Sequence, residues 1–384
     1  MKKVLLFFAV LCTIGSVLGQ VTPNCTKSQT IVSGTHAPQG DLCTGQLIFE
    51  DNFNDFNFAK WQHETTLAGG GNWEFQWYGN NRSNSFVSSG VLYIRPTLTN
   101  DTTSDYFLTS GTLNVHGGAP ADQCTNPSFW GCERTGSYNN VINPIKSARI
   151  RTVNSFAFRY GRVEVQAKLP AGDWLWPAIW LMPKYNVYGT WPASGEIDLL
   201  EARGNRNLVQ NGVNIGVEQV GSTLHFGPYP ALNGANVTHF RRNSAAGNGF
   251  NRGFHRYQLE WSPQSIRFYV DGQQIGMVNA STGFWAKGDF ARKAPGTDNP
   301  WRYGSTMAPF DQEFYLIINL AVGGTNFFPD NVTNPGGKPW HNSSPQAATD
   351  FWNGRNQWLP TWYLKQDYSR DASLQVDYVR VWAL

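Results

Sequence analysis

The sequence predicts an all-β protein built as a single antiparallel β-sandwich, and three observations support this fold class. Apolar and polar residues alternate over several stretches, as at Val163, Val165 and Ala167, and a period of two is typical of half-buried strands. Turn signals recur between these stretches, and Gly accounts for 39 of the 384 residues, which favours many tight turns. No long amphipathic helical pattern interrupts them. These features together are typical of a sandwich.

Individual strands follow from the same alternation. Residues 266–270 alternate, and Asp271-Gly272 then predicts a hairpin turn. Residues 314–322 are almost continuously apolar and β-branched, which predicts a strand covered on both faces. Residues 374–379 alternate again, so we expect the chain to end in a strand. Residues 100–143 are rich in Asn, Gly, Thr and Pro, which indicates a long insertion between strands.

Composition narrows the class of function. Charged residues make up 15% of the chain and aromatic residues 14%, with 16 Trp, whereas an average domain has about 25% charged residues. Lys and Arg number 30 against 27 Asp and Glu, a balance that predicts neither nucleic acid nor an anionic membrane as a partner. With 41% hydrophobic residues, the chain can bury a core, so intrinsic disorder is excluded.

The N-terminus predicts export. Lys2 and Lys3 precede an apolar run, and small residues follow near Gly19, so residues 1–19 are predicted to be a secretory signal peptide and the product to be extracellular. A signal anchor is the alternative, but the run is short for a membrane span. Residues 20–45 lack alternation and are predicted to form an N-terminal strap, and residues 46–384 a single domain.

Cysteine spacing predicts two local disulfides. Loss of Cys12 with the signal peptide leaves four cysteines, which allow three pairings. The simplest is Cys25–Cys43 with Cys124–Cys132, each closing a short loop; free thiols are the alternative. Their spacing does not suit a zinc site. Sequons predict glycosylation at some sites in a eukaryotic host; they lie at Asn24, Asn81, Asn100, Asn236, Asn279, Asn331 and Asn342.

The most informative segment is residues 195–201, where Glu196, Asp198 and Glu201 stand among branched apolar residues. Burying a carboxylate costs several kcal/mol unless it is paired or protonated, so an inward row of acids needs a reason. The alternative is an edge strand whose acids face solvent. Glu196 and Asp198 share a strand face, but in a regular strand Glu201 points the opposite way. A β-bulge between Asp198 and Glu201 returns all three acids to one face.

Three converging carboxylates suit glycoside hydrolysis with retention of configuration. One carboxylate attacks the anomeric carbon, and a carboxylic acid about 5–5.5 Å away protonates the leaving oxygen and later activates water. An Asp between them can hydrogen-bond the nucleophile and, by charge repulsion, help to keep the acid protonated. Tryptophans crowd residues 174–191, and sugar rings stack on such faces, although many of the 16 Trp are expected in the core.

These residues resemble glycoside hydrolase family 16. Residues 195–201 resemble the family signature E-[IL]-D-x-x-E in its bulged form. Further segments resemble the family in the same order, namely residues 49–54 with Trp61, 160–170, 174–183, 224–227, 319–324 and 376–382. Within the family the chain is most similar to the animal laminarinases and the related β-1,3-glucan recognition proteins.

The resemblance implies a β-jelly roll with a substrate cleft on its concave sheet, and a catalytic domain over residues 46–384. It implies endo-hydrolysis of laminarin-type β-1,3-glucan with retention, by double displacement and without a catalytic cofactor. Glu196 matches the nucleophile, Asp198 the assisting acid and Glu201 the acid/base. The partner is then a polysaccharide and the protein is expected to be a monomer.

The resemblance also implies substrate contacts: Trp176, Trp180 and Trp191 as cleft aromatics, and Asn72, Glu164 and His225 as polar contacts. Glu164 shares strand parity with Arg162 and Gln166, so the family implies a polar row facing the cleft. A solvated strand face is the alternative for that row, and an inert histidine is the alternative for His225. Members of the family bind a structural Ca²⁺ on the convex face, for which Glu50 and Asp377 are the candidate ligands.

Two alternatives remain open. The first is a non-catalytic β-1,3-glucan recognition protein. Such proteins usually lack the full acid set and carry an extra N-terminal glucan-binding module, whereas this sequence keeps all three acids and has only residues 20–45 between the signal peptide and the domain. The second is a hydrolase or transglycosylase of the same fold that acts on another β-glycan.

Overall fold

The computed structural model of the protein describes residues 25–364 and 370–384. The predicted signal peptide, residues 20–24 of the predicted strap and the sequon at Asn24 lie outside the described residues. Within the described part of the chain, no helix has the length and apolar character needed to cross a membrane.

Strands make up most of the regular secondary structure of the described chain, and they are short or of medium length. In chain order they are β1 (Ile31–Ser33), β2 (Leu47–Asp51), β3 (Gln62–His63), β4 (Gln76–Tyr78), β5 (Ser85–Ser88), β6 (Val91–Ile94), β7 (Thr97–Leu98), β8 (Thr112–Asn114), β9 (Glu133–Thr135), β10 (Ile145–Ser147), β11 (Arg149–Arg151), β12 (Ala157–Arg159), β13 (Gly161–Lys168), β14 (Leu175–Pro183), β15 (Glu196–Ala202), β16 (Val209–Gln210), β17 (Val213–Asn214), β18 (Gln219–His225), β19 (Phe240–Asn243), β20 (His255–Trp261), β21 (Ser265–Val270), β22 (Gln273–Asn279), β23 (Phe314–Val322) and β24 (Leu374–Trp382).

The helices are short and lie in the connections. They are α1 (Asp105–Ser110), α2 (Gly283–Lys287), α3 (Phe290–Lys293), α4 (Ala347–Asn353) and α5 (Arg355–Trp358). Single turns of 3₁₀ helix lie at Gly69–Gly71, Thr99–Asp101, Pro120–Asp122, Ser128–Trp130, Pro230–Leu232, Gly234–Val237 and Leu359–Trp362. The scarcity of helix agrees with the absence of a helical period in the sequence.

Two large antiparallel sheets form the body of the protein. The nine-stranded sheet has the order β1-β12-β23-β14-β15-β18-β19, with β11 against β23 and β3 against β11. The eight-stranded sheet has the order β22-β21-β20-β13-β24-β6-β5, with β2 against β24. A small sheet of β4, β10 and β7 contains a parallel pair, β4 with β10. The predicted all-β sandwich is confirmed, and its architecture is a jelly roll.

The hydrophobic core fills the space between the two large sheets. Val163 and Val165 of β13 and Ile179 of β14 are fully buried in it. β23 is buried along nearly its whole length, as predicted, because it lies inside its sheet between β14 and the pair β11 and β12. The alternation of apolar and polar residues therefore separates this core from the two outer faces.

The N-terminal and inserted segments are fixed by the two predicted disulfides, which are both present. Cys25–Cys43 ties the segment before β2, and β1 within that segment pairs with β12 at the edge of the nine-stranded sheet. Cys124–Cys132 closes a loop within the insertion. The insertion also carries α1 and the hairpin of β8 and β9.

Candidate active site

A β-bulge in β15 brings three carboxylates to one face. In the pairing of β15 with β14, Leu200 lies opposite Ile179 but Asp198 lies opposite Trp180, which leaves Leu199 as the extra residue. The pairing with β18 shifts between Asp198 and Glu201 as well. Glu196, Asp198 and Glu201 therefore all point to the outer face of the nine-stranded sheet, as the sequence predicts.

Two indole N–H groups hold the outer carboxylates of this row. Trp191 Nε1 donates a hydrogen bond of 2.6 Å to Glu196 Oε2, and Trp176 Nε1 donates one of 3.0 Å to Glu201 Oε1. An indole is a donor only, so each bond suits a carboxyl oxygen acting as acceptor. One oxygen of each carboxyl group is thus held by the protein, so that the side chain is oriented in advance.

His225 contacts the central acid. It lies opposite Glu196 in the β15–β18 pair, and its Nε2 is 3.0 Å from Asp198 Oδ2. The Asn233 side-chain amide lies 2.7 Å from His225 Nδ1 and fixes the ring from its other side. Burial alone would lower the pKa of His225, but the Glu196 and Asp198 carboxylates outweigh it and raise the pKa to about 10.

Burial and like charge raise the pKa values of Asp198 and Glu201. Burial raises the pKa of Asp198 well above its usual value, and the Glu196 and Glu201 carboxylates raise it further against His225. Burial also raises the pKa of Glu201, with Glu196 adding to the rise while His225 and the Trp176 hydrogen bond oppose it. Glu201 thus keeps its proton to a higher pH than a free glutamic acid, as a general acid requires.

Among the described residues, one group of three metal-ligand side chains has ligand atoms within 4.8 Å of one another, and it is Glu196, Asp198 and His225 of this same site. The expected Ca²⁺ ligands do not fit an ion. Glu50 Oε1 already accepts from Arg380 Nε at 2.8 Å. Ca²⁺ would therefore have to compete with the Arg380 guanidinium for this carboxylate. Asp377 lies on β24 and joins no such group in the described chain.

The floor of the site is a rigid aromatic surface. Trp180 Nε1 donates to Asn319 Oδ1 at 2.7 Å on the neighbouring β23. The Trp176 ring stacks on Phe327 with a centroid distance of 4.0 Å, and the Arg203 guanidinium lies 4.1 Å from the Phe327 centroid. Both tryptophans therefore present fixed rings beside the carboxylates, which suits stacking against sugar C–H faces.

A buried ionic cluster lies beside this floor, on the same face of the sheet. Arg149 on β11 forms ion pairs with Glu64 at 3.4 Å and with Glu74 at 4.0 Å. Arg151 reaches Glu64 at 3.3 Å. The Arg149 guanidinium also lies 5.2 Å from the Trp180 centroid, so the cluster supports one of the cleft tryptophans.

Arg149→Met is expected to lower the free energy of unfolding by about 3–5 kcal/mol, because it leaves buried Glu74 without its cation and Glu64 with only one. Urea unfolding followed by tryptophan fluorescence measures the change. The matched control is Arg267→Met, which breaks a pair with Glu260 whose side chains are 42% and 39% exposed; there we expect about 0–1 kcal/mol. Equal effects of the two substitutions would contradict a stabilising role for the cluster.

Glu164 is not a substrate contact of this site, and its prediction was wrong. It lies on β13 in the eight-stranded sheet, where its carboxylate accepts from Gln258 Nε2 and from Tyr378 Oη, both at 2.8 Å. Strand parity identified its face correctly, since Val163 and Val165 point to the core. Parity carries no information about which sheet a strand joins, and β13 and β14 are consecutive in the chain but lie in opposite sheets.

Asn72 lies at the margin of the site. Its side chain contacts Glu74 at 3.4 Å and Asn326 at 3.2 Å rather than the carboxylate row. Its backbone carbonyl accepts from Thr325 N, just beyond the end of β23. Trp176, Trp180, Trp191 and His225, in contrast, are all brought to the carboxylates.

Other site residues carry no pattern of their own in the sequence. Asn319 lies within residues 319–324, which resemble the family, and this resemblance was the one indication that Asn319 belongs to the site. Asn233, Phe327 and Arg149 reach the site from distant connections and a short strand, and nothing in their local sequence marks them. Many tryptophans are core residues as expected; Trp174 and Trp358 are fully buried.

Comparisons with known proteins agree with this geometry. The sequence profile of the family described as Glycosyl hydrolases family 16 matches residues 134–295. A Beta-1,3-glucan-binding protein of Penaeus monodon is 51% identical over 341 residues, which cover 88% of this chain and 90% of that protein. Beta-1,3-glucan-binding protein 1 of Galleria mellonella is 36% identical over 372 residues, 95% of this chain and 68% of that protein.

A solved structure shows the same fold. The laminarinase from Rhodothermus marinus has a TM-score of 0.52 and 25% sequence identity, and the match covers 88% of this chain and 97% of that one. The bulged acid row, the jelly roll, the profile match and the relatives all lead to one assignment. The chain belongs to glycoside hydrolase family 16.

Proposed function

We propose that the protein is a secreted endo-1,3-β-glucanase that hydrolyses laminarin-type glucan with retention of anomeric configuration. The observation that carries this proposal is the bulge at Leu199, which places Glu201 on the same face as Glu196 and Asp198. Without it, the outer face would carry a nucleophile and no acid. The raised pKa of Glu201 supports the same assignment.

The chemistry follows from the two outer carboxyl groups. Glu196 attacks the anomeric carbon as protonated Glu201 gives its proton to the departing glycosidic oxygen, which leaves a glycosyl-enzyme bond on Glu196. Glu201, now a carboxylate, takes a proton from water, and the water oxygen displaces Glu196 from the same carbon. Both groups then return to their starting protonation states, and the two inversions give net retention.

Asp198 and His225 assist without touching the leaving group. Asp198 lies between the two outer acids, and burial together with their carboxylates holds its pKa well above the usual range. The like charge that raises the pKa of Glu201 is that of Glu196. His225, at 3.0 Å from Asp198, compensates part of the buried negative charge of the row. These groups suffice for the double displacement, so no cofactor is proposed.

The substrate is proposed from chemistry and from the relatives together. Beside its three carboxyl groups and His225, the site offers tryptophan faces, and the charges of Arg149 and Arg203 are directed at protein groups. This arrangement suits a neutral glycan. The relatives are named for β-1,3-glucan binding and the similar structure is a laminarinase. Export is proposed from the leader-like residues 1–19 and the two disulfides, which are typical of oxidising compartments. We propose that the protein is a monomer and that its binding partner is the polysaccharide.

Wild-type protein is expected to release reducing ends from laminarin, and proton NMR during the reaction is expected to show the β-anomer first. Retention produces this order because each of the two displacements inverts the reacting carbon. Product profiles on laminarin, lichenan and agarose separate β-1,3-glucanase activity from action on another β-glycan. Early appearance of the α-anomer would rule out Glu196 as nucleophile.

A second candidate function is glucan recognition without turnover. Its support is that the two sequence relatives described above are named glucan-binding proteins. Against it stand the complete acid row and the hydrogen bonds that orient Glu196 and Glu201. Wild-type protein that binds laminarin and releases no reducing ends would establish recognition instead.

A further inference from the structure

A second large groove lies beside the carboxylate cleft. It is next to the C-terminal end of β23, where Thr325 is one of its lining residues. Its volume is about 960 Å³, at the upper end of the range for ligand pockets. One wall comes from the insertion, through Trp130 and residues 133–143, and the other from residues 342–348. Glu74 and Phe75 lie between them at the base.

The rim of this groove presents aromatic rings to solvent at a conformational cost. Trp130 is 70% exposed and Trp73 is 49% exposed. Trp73, Phe129 and Trp130 have φ values of 52°, 54° and 57°, in the left-handed region that bulky residues rarely adopt. Backbone strain of this kind is concentrated at functional sites.

Several contacts hold the rim in this conformation. The Cys124–Cys132 disulfide closes its loop. The Arg134 guanidinium donates to the Phe129 carbonyl at 2.7 Å, to the Leu67 carbonyl at 3.0 Å and to Asn143 Oδ1 at 2.5 Å. Trp73 and Phe129 meet edge to face at 5.4 Å. The exposed rings are thus presented by a braced loop, which lowers the entropy lost on binding.

The lining favours a neutral, hydroxyl-rich ligand. The charge of Arg134 is already directed at protein carbonyls, and the Glu74 carboxylate accepts from Gln76 Nε2 at 2.7 Å and faces Arg149. Glu133 is the third charged residue of the lining, and its carboxylate accepts from Asn114 Nδ2. Asn140 and Gln346 add amide groups along the walls. Exposed indoles combined with planar amides are the groups that bind sugar faces and hydroxyls.

The groove and the cleft share a wall. Glu74 lines the groove, and its ionic partner Arg149 lies against Trp180 in the cleft. On the same wall, Thr325 lines the groove while Phe327, two residues further on, stacks on Trp176. A long chain lying across the carboxylates therefore has a second place to bind next to the first.

We propose that this groove is a second saccharide-binding site, which takes a run of neutral hexose units of the same polysaccharide that occupies the cleft. The identity of that polysaccharide as β-1,3-glucan rests on the proposed function. The groove adds affinity for long chains through effective concentration, because the second contact is intramolecular once the first has formed. A trisaccharide is expected to occupy one site at a time and so to gain nothing from the second.

The test compares long and short ligands in a non-hydrolysing background. In Glu196→Gln protein, addition of Trp130→Ala is expected to weaken laminarin binding about 10-fold, as loss of an exposed aromatic anchor does. Binding of laminaritriose is expected to stay within about 2-fold. Titration calorimetry measures both. Tyr106→Ala is the matched control, since Tyr106 is 78% exposed in the same insertion but does not line the groove.

The outcomes separate the two proposals. If Trp130→Ala and Tyr106→Ala bind laminarin equally, the groove is not a saccharide site. If Trp130→Ala weakens laminarin and laminaritriose alike, Trp130 belongs to the cleft and the second site is disproved. If Glu196→Gln protein binds neither ligand, the glucan assignment fails first, and the ligand proposed for the groove fails with it. Circular dichroism of each variant verifies that it is folded.

Discussion

Glu196→Gln is expected to lower kcat on laminarin by about 10³-fold or more, while Kd for laminarin stays within about 3-fold. The amide has nearly the shape of the carboxylate, so the contacts that hold the sugar persist. It is a very poor nucleophile, so the glycosyl-enzyme bond cannot form. Trp191 Nε1 still finds an acceptor in the amide oxygen, which preserves the local hydrogen bond. Reducing-end release measures kcat, and titration calorimetry measures Kd.

Glu164→Gln is the matched control for this prediction, because it makes the same chemical change on the opposite sheet. We expect its kcat and Kd to equal those of the wild type. Turnover by Glu196→Gln at a rate near that of the wild type would exclude Glu196 as the nucleophile. A loss of laminarin binding in Glu196→Gln, which keeps the shape of the site, would instead contradict the assignment of β-1,3-glucan as the ligand.

The acid row was predictable from sequence because strand geometry constrains it tightly. Glu196 and Asp198 are two residues apart and Glu201 is five beyond Glu196, so a common face requires an inserted residue. The structure identifies that residue as Leu199. A parity argument works here because all three acids lie on one strand, β15, whose direction is fixed by Ile197 and Leu200 in the core.

The same argument fails for Glu164 because sheet membership is a long-range property. The alternation in β13 predicts an outward polar row, which is present, but only the pairing of β13 with β20 and β24 reveals that this row is on the opposite side of the sandwich. The cluster around Arg149 was unpredictable for a related reason. Its ionic partner Glu64 lies 85 residues earlier in the chain, and no local pattern joins them.

The groove illustrates a third limit of sequence reasoning. Residues 100–143 were identified as an insertion from their composition, but composition does not show what an insertion packs against. In the structure the insertion faces residues 342–348. The insertion forms one wall of the groove and residues 342–348 form the other. The exposure of Trp130 and its left-handed backbone are visible only once the loop is folded.

Glu201→Gln is expected to lower kcat/KM on laminarin by about 10²–10⁴-fold, the usual contribution of a general acid. The wild-type kcat/KM is expected to fall as pH rises through the pKa of Glu201, because the first displacement needs the protonated form. Burial raises that pKa, so this alkaline limb lies above the ordinary range for glutamic acid. The variant has no proton to lose at position 201, so its limb should be absent. A variant that keeps the limb would show that another group is the acid.

Trp176→Phe sharpens this test, because it shifts the limb without removing the acid. The indole of Trp176 donates to Glu201 Oε1 at 3.0 Å and so stabilises the charged form of the carboxyl group. This hydrogen bond lowers the pKa of Glu201 against the larger effect of burial. Phenylalanine keeps a ring stacked on Phe327 but has no donor, so the pKa rises and the alkaline limb moves to higher pH. A limb that stays in place or moves to lower pH would contradict the assignment of Glu201 as the titrating acid, since no other carboxyl group of the row accepts from this indole in the described structure.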